Sequence, residues 1–309
     1  MKNIIYYYYG FYVYEIIHDK KNYYFNYYDN KYALFKYERP LEDLNDIYKL
    51  NQTMIENDLL VNKIILTKDK NVYIQVNNNN YVLMQILVNE NVMVNLPNIC
   101  YINNNTINIV CLEKLKRDNW ISLWEAKVDY FELQINEVGK KYKMICNYLN
   151  YYTGLCENAI LYIKNNVNSK NIITHCINHR RIQIDESILE LYNPINFIYD
   201  YKVRDIAEYI KSLFFNSVDP TNIIIDYFNN NYIYYDEALL FYARLLYPSY
   251  FFDIYDEIIN NNRNENEIEK ITCKSNDYEV FLIEINNFLS NIYHRYFPQL
   301  DWLKKRSYY

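Results

Sequence analysis

Of 309 residues, 39 are Tyr, 47 Asn and 41 Ile, against only 3 Gly and 6 Pro; 32 basic and 38 acidic side chains give a formal charge of −6. This composition excludes collagen-like repeats, glycine-serine linkers and folds built on repeated glycine loops, and an apolar fraction of 51% excludes global disorder. The acidic balance, with Lys304-Lys305-Arg306 as the only basic cluster, argues against a nucleic-acid surface.

The Tyr, Asn, Ile and Lys excess has the form of an AT-rich codon set. Six cysteines, widely spaced and without a C-x-x-C pair, argue against a zinc site and a disulfide framework, and for reduced thiols in the cytosol. The apolar opening, Ile4 to Ile17, is too short to span a bilayer and carries Glu15, so membrane insertion is not expected. The length allows one large domain or two medium ones.

In chain order, Ile4–Tyr9 and Phe11–Ile17 read as strands about a bend at Gly10, followed by strands Tyr23–Tyr28 and Tyr32–Tyr37. Pro40 precedes a helix, Leu41–Asn57, with apolar residues near helical spacing. Strands at Lys63–Thr67, Val72–Val76 and Tyr81–Leu87 come next, the last two joined by the polar turn Asn77-Asn78-Asn79-Asn80. From about residue 113 the texture turns helical. Leu115–Val138 ends at Gly139 as a plausible cap, residues 141–166 form a second long helix, and 170–203 is less regular. Helices resume at Asp205–Phe215, Tyr235–Leu246, Phe251–Asn260 and Tyr278–Phe297, with Asn260–Glu267 as an exposed loop. A β-rich first lobe with one helix (residues 1–88) before a larger helical lobe (89–309) is α+β, and has the layout of a two-lobed protein-kinase-like fold rather than a doubly wound sheet.

Kinase chemistry needs a strand lysine for the phosphates, a helix carboxylate to orient it, a catalytic-loop Asp and a second Asp for magnesium. Ala33-Leu34-Phe35-Lys36 has the form of the lysine strand, with Glu56, or less readily Gln52, as the carboxylate, and Gln85 in the strand that enters the hinge. In Ile173–Arg181 either His175 or His179 can take the place of the loop histidine. Its spacing to Asp200 makes His179 the better fit to the kinase family's pattern, and Arg181 then stands where the catalytic Asp belongs; Ile177 stands there in the other register. Asp185 is the nearest carboxylate that could substitute. Asp200 ends a strand-like run as the magnesium Asp, and Arg204 and Asp205 open the next helix, with Asp205 placed to cap it or brace the loop.

The runs Trp124–Glu132, Gly139–Tyr142, Gly154–Ile160, His179–Ile182, Arg204–Lys211 and Ala243–Asp253 resemble those of bacterial spore-coat-associated kinase-like proteins, in the aminoglycoside phosphotransferase and choline kinase superfamily. The resemblance spans about residues 5–297. It implies a kinase-like fold, ATP and Mg as the cofactors of any activity, and spore-coat proteins as partners of a cytoplasmic, coat-associated protein. The chain departs from active members in lacking a glycine-rich phosphate loop, the loop Asp and the Asn that follows it. Loss of the base alone removes a factor of roughly 10² to 10⁴. The expectation is a pseudokinase acting as a scaffold; the alternative is an active ATP-dependent small-molecule phosphotransferase with a non-standard loop.

Overall fold

The structure, a computed structural model, describes all residues except 20, 89–91, 111, 139–140, 169, 261, 295 and 307–309. Packing divides the chain into two compact units: residues 1–116 with 176–181 and 185–199, and residues 117–175 with 182–184 and 200–309. The first unit therefore extends past the boundary expected at residue 88 and takes in most of a later hairpin. Gly139, expected as a helix cap, lies outside the described residues.

The first unit opens with a helix, α1 (Lys2–Tyr9), followed by strands β1 (Ile17–Asp19), β2 (Asn22–Tyr27) and β3 (Asn30–Tyr37). Helix α2 (Leu44–Glu56) comes next, then β4 (Lys63–Ile65), β5 (Ile74–Val76), β6 (Asn79–Ile86) and α3 (Leu96–Asn105). The strands make one antiparallel sheet in the order β1-β2-β3-β6-β4, with β5 also on β6. The β5–β6 turn falls at Asn77 and Asn78, with φ of 48° and 62°, the left-handed region that asparagine tolerates in tight hairpins.

The strand expected at Ile4–Tyr9 is corrected to helix, and Phe11–Ile16 is irregular. Ile5 and Tyr9, four residues apart, are buried on one face, while Tyr6 and Tyr7 face solvent. Gly10, at φ 79°, closes the helix by donating its N–H to the Tyr6 carbonyl at 2.9 Å. α1 thus covers one face of the sheet, where Ile5, Tyr9, Phe25, Tyr32, Leu34, Tyr81 and Leu83 form an aromatic-rich layer.

The second unit begins with α4 (Trp120–Val138) and α5 (Lys143–Asn166). The chain then forms the hairpin of β7 (His175–His179) and β8 (Phe197–Tyr201), with α6 (Ile188–Leu191) between them. There follow α7 (Arg204–Phe215), α8 (Thr221–Asn230), α9 (Tyr235–Leu246), α10 (Ser249–Ile259), α11 (Glu269–Thr272), α12 (Ser275–Tyr293) and α13 (Asp301–Arg306). α9 is the central helix: Asp236 to Leu246 are all buried, as expected of an element packed on every side. Its first turn anchors the approach to β7. Asp236 accepts from the Asn168 N–H at 2.8 Å and the Asn171 amide at 2.7 Å, and Glu237 accepts from the Thr174 N–H at 2.6 Å. Stacked ring pairs, Phe131 on Phe252 and Tyr152 on Phe251, fill the core around it.

Candidate functional site

In the sheet unit, Lys36 pairs with Tyr81 across β3 and β6. Strand alternation puts it on the face of Tyr32 and Leu34, the face covered by α1, and turns Ala33, Phe35 and Tyr37 the other way. The buried α2 residues Leu44, Ile47, Leu50 and Met54 are not part of the α1 layer. The Lys36 ammonium bonds to Glu38 at 2.9 Å, a hydrogen bond that raises its pKa. Glu56 is exposed at the last position of α2, so the two are not brought together as a lysine–glutamate pair. Gln85 donates to the Asn30 side chain at 2.9 Å. A buried cation of this unit is Arg39, which bonds to Asp43 at 3.1 Å and donates to the Ile195 and Phe197 carbonyls at 3.1 and 2.8 Å.

His179 is buried, its Nε2 lying 2.6 Å from the Leu191 carbonyl and its ring edge-on to Phe197. Because a carbonyl only accepts, Nε2 carries the proton and the ring ties β7 to the end of α6. Buried Asn103 and Thr106 brace the same strand, bonding to the Ile177 carbonyl at 2.9 Å and the Ile177 N–H at 3.0 Å. Arg181 is exposed, and Asp185 is exposed in the turn at residues 184–185.

Asp200, in the helical unit, is wholly buried with a side-chain exposure of 0%. Its Oδ1 accepts from the Trp120 indole at 2.8 Å and the Tyr201 N–H at 2.7 Å; its Oδ2 accepts from Arg204 at 2.9 Å. Burial pushes its carboxyl pKa up, opposed by Arg204, Arg244 and these hydrogen bonds. Every one of those contacts is a donor, so the geometry suits the carboxylate. Asp205 is buried in the first turn of α7, where a negative charge favours the helix. His175, the other candidate loop histidine, pairs with Asp118 at 3.1 Å and bonds the Ile173 carbonyl through Nδ1.

Asp200 begins a larger buried network. Arg244 lies over the rings of Trp120, Tyr247 and Trp124, at 5.1, 5.3 and 5.7 Å, and bonds to Glu208 at 2.5 Å. Glu208 also accepts from Lys211 at 2.8 Å and from the Ser249 hydroxyl at 2.7 Å. Lys211 in turn donates to the Arg244 and Tyr247 carbonyls, both at 3.0 Å, and to Ser249 at 2.6 Å. Burial would raise the Glu208 carboxyl, yet Lys211, Arg244 and Arg204 outweigh it and hold it well below the usual range. Burial pushes Lys211 down to about 8 despite the pull of Glu208. Arg204, Glu208 and Lys211 follow helical spacing on one face of α7. That spacing was visible in the sequence; the partners on α4 and α9 were not.

A magnesium ion takes oxygen ligands in near-octahedral geometry and keeps several waters. Asp200 has no exposed oxygen to offer, because its side chain is wholly buried and Arg204, an indole and a backbone N–H meet it there. These residues do not fit a divalent cation. Within the helical unit they form a charge network that ties Asp200 and Tyr201 to α4, α7 and α9.

Two solved structures share the fold. An aminoglycoside phosphotransferase from Alicyclobacillus acidocaldarius aligns with a TM-score of 0.69 at 9% identity, covering 94% of this chain and 97% of the other. Spectinomycin phosphotransferase, in complex with ADP and spectinomycin, aligns with a TM-score of 0.59 at 12% identity, covering 92% and 95%. Both show a kinase-like phosphotransferase fold. In sequence, the chain is 26% identical over 212 residues to the endospore coat-associated protein YutH of Bacillus subtilis (strain 168). That alignment takes in 61% of this chain and 62% of the relative's length. The model of the family described as "Spore coat putative kinase YutH" matches residues 2–285. The chain therefore belongs to the YutH family of kinase-like spore coat proteins.

Proposed function

We propose that the protein is a coat-associated, non-catalytic scaffold that uses a kinase-like fold without phosphoryl transfer. The observation that carries this reading is Asp200, whose carboxylate is wholly buried and held by Trp120, Tyr201 and Arg204. Arg181 at the position of the loop base, and Lys36 bonded to Glu38, point the same way. Association with the endospore coat draws on the name of the Bacillus subtilis relative, and coat proteins as partners on the sequence resemblance. The competing reading is an ATP-dependent small-molecule phosphotransferase with Asp185 as base. It draws on the exposure of that carboxylate in the segment after His179.

Thermal unfolding with Mg-ATP separates the two. A ligand at a hundred times its Kd stabilises its protein by about 2.7 kcal/mol, several degrees in Tm. The scaffold reading predicts no shift at millimolar Mg-ATP. A clear shift that Asp200→Ala abolishes would overturn it.

A further inference from the structure

The helical unit holds a groove of about 360 Å³ where the end of α7, the start of α8 and the first half of α12 come together. Its apolar lining includes Phe214, Phe281, Val218 and Val280, and the two valines are 43% and 52% exposed. Three carboxylates, Asp219, Asp277 and Glu284, share that lining with one ammonium, Lys274. The ammonium is committed: it donates to the Phe215 carbonyl at 2.7 Å and the Ser217 hydroxyl at 2.6 Å, closing the end of α7. Asp219 accepts from the Thr221 N–H at 3.0 Å and hydroxyl at 2.6 Å, which hold its carboxyl below the usual range. Asp277 and Glu284 are exposed and bond to none of the described residues. They stand seven residues apart on α12 with Val280 and Phe281 between them. That spacing makes one stripe of the helix, with its two carboxylates about 10 Å apart along the axis on either side of an apolar middle.

We propose that this groove receives residues 304–309 of a second copy of the chain, joining molecules head to tail. Lys304-Lys305-Arg306 is the longest unbroken run of basic residues in the sequence and ends α13. Lys304 bonds to Asp301 at 3.0 Å within its own helix, an exposed pair of a kind that contributes little and exchanges readily. The sequence continues Ser307-Tyr308-Tyr309, so the same segment brings cations for the carboxylates and rings for the apolar middle. Opposite charge on the two surfaces fixes which meets which. Because groove and segment are different surfaces of one chain, the contact is heterologous, and copies add in an open row rather than a closed two-fold dimer.

Sedimentation velocity of the full chain from about 1 to 200 μM tests this. The wild type associates as its concentration rises and dissociates in about 0.5 M salt, which screens such pairs. Asp277→Asn with Glu284→Gln, which keeps the size of both side chains, weakens association about tenfold. Two charge reversals, Asp277→Lys with Glu284→Lys and Lys304→Glu with Lys305→Glu and Arg306→Glu, are each monomeric alone. Mixed in equal amounts they associate again, as the basic segment of the first meets the acidic groove of the second. A wild type that stays monomeric over this range overturns the proposal. So does association left unchanged by Asp277→Asn with Glu284→Gln, or a mixture of the two reversals that stays monomeric. The scaffold reading is tested apart from this one: nucleotide turnover would sink it and leave self-association standing.

Discussion

Removing the Asp200 side chain would strip Trp120, the Tyr201 N–H and Arg204 of their acceptor in a core closed to water. Arg204 would also be left with Arg244 nearby, a like charge that already lowers its pKa after burial itself. Breaking a buried pair in this way costs about 3–5 kcal/mol. Urea unfolding of Asp200→Ala should show a loss of that size, and an unchanged midpoint would mean that the network is not structural. Glu208 makes a separate, pH-dependent claim. Its folded pKa lies below the ordinary 4.5, so below that pH the unfolded chain binds more protons than the folded one. Its contribution is therefore complete above about pH 4.5 and is lost as the pH falls toward the folded value. Glu208→Gln should flatten the acid limb of a Tm-against-pH curve; equal limbs would contradict the assignment. At this scale the sequence was legible in part. The four-residue separation of Asp200 and Arg204 lets them bond, but a further partner that fixes Asp200 is Trp120, 80 residues earlier. The asparagine excess likewise hid structural uses. Asn51 bonds the Asn62 carbonyl and the Ile64 N–H, and Asn62 bonds the Leu87 N–H, so buried amides join the ends of strands.

The elements were most legible where local chemistry and tertiary packing agree. The β5–β6 hairpin follows from its asparagine turn, and α2, α5, α7 and α9 follow from apolar spacing. The N-terminus misled because a run of isoleucine and tyrosine suits a strand by propensity, which packing overrides. Ile5 and Tyr9 fall on one face at helical spacing, and Gly10 completes the helix in a conformation that side chains resist. Gly10→Ala would strain φ at 79° and set a methyl 3.1 Å from the Lys68 Cε. The expected cost is about 1 kcal/mol, read as a lower Tm, whereas an unchanged or raised Tm would remove the cap from the account. The same alternation of faces decides Lys36. In the tetrapeptide Ala33–Lys36 it has the form of a phosphate lysine, but its face of β3 is the one closed by α1, a helix that the sequence did not reveal.

For the whole molecule, strand-then-helix order was enough to indicate the kinase-like class, because that order survives extensive surface change. Alignment across more than nine-tenths of the chain at 9% identity is the same point seen from the structure. Catalytic competence is less legible from order alone, since it depends on which polar atoms remain open. Here Asp200, the acid expected from the sequence to hold the metal, is satisfied inside the core by Arg204, Trp120 and a backbone N–H. The central claim is that this carboxylate does not take up a metal–nucleotide complex. Electron paramagnetic resonance of Mn²⁺-ATP, titrated with the full-length protein, tests it most directly. The account predicts a spectrum identical to that of protein-free Mn²⁺-ATP at every protein concentration. A broadened, saturable signal that disappears in Asp200→Asn would contradict it.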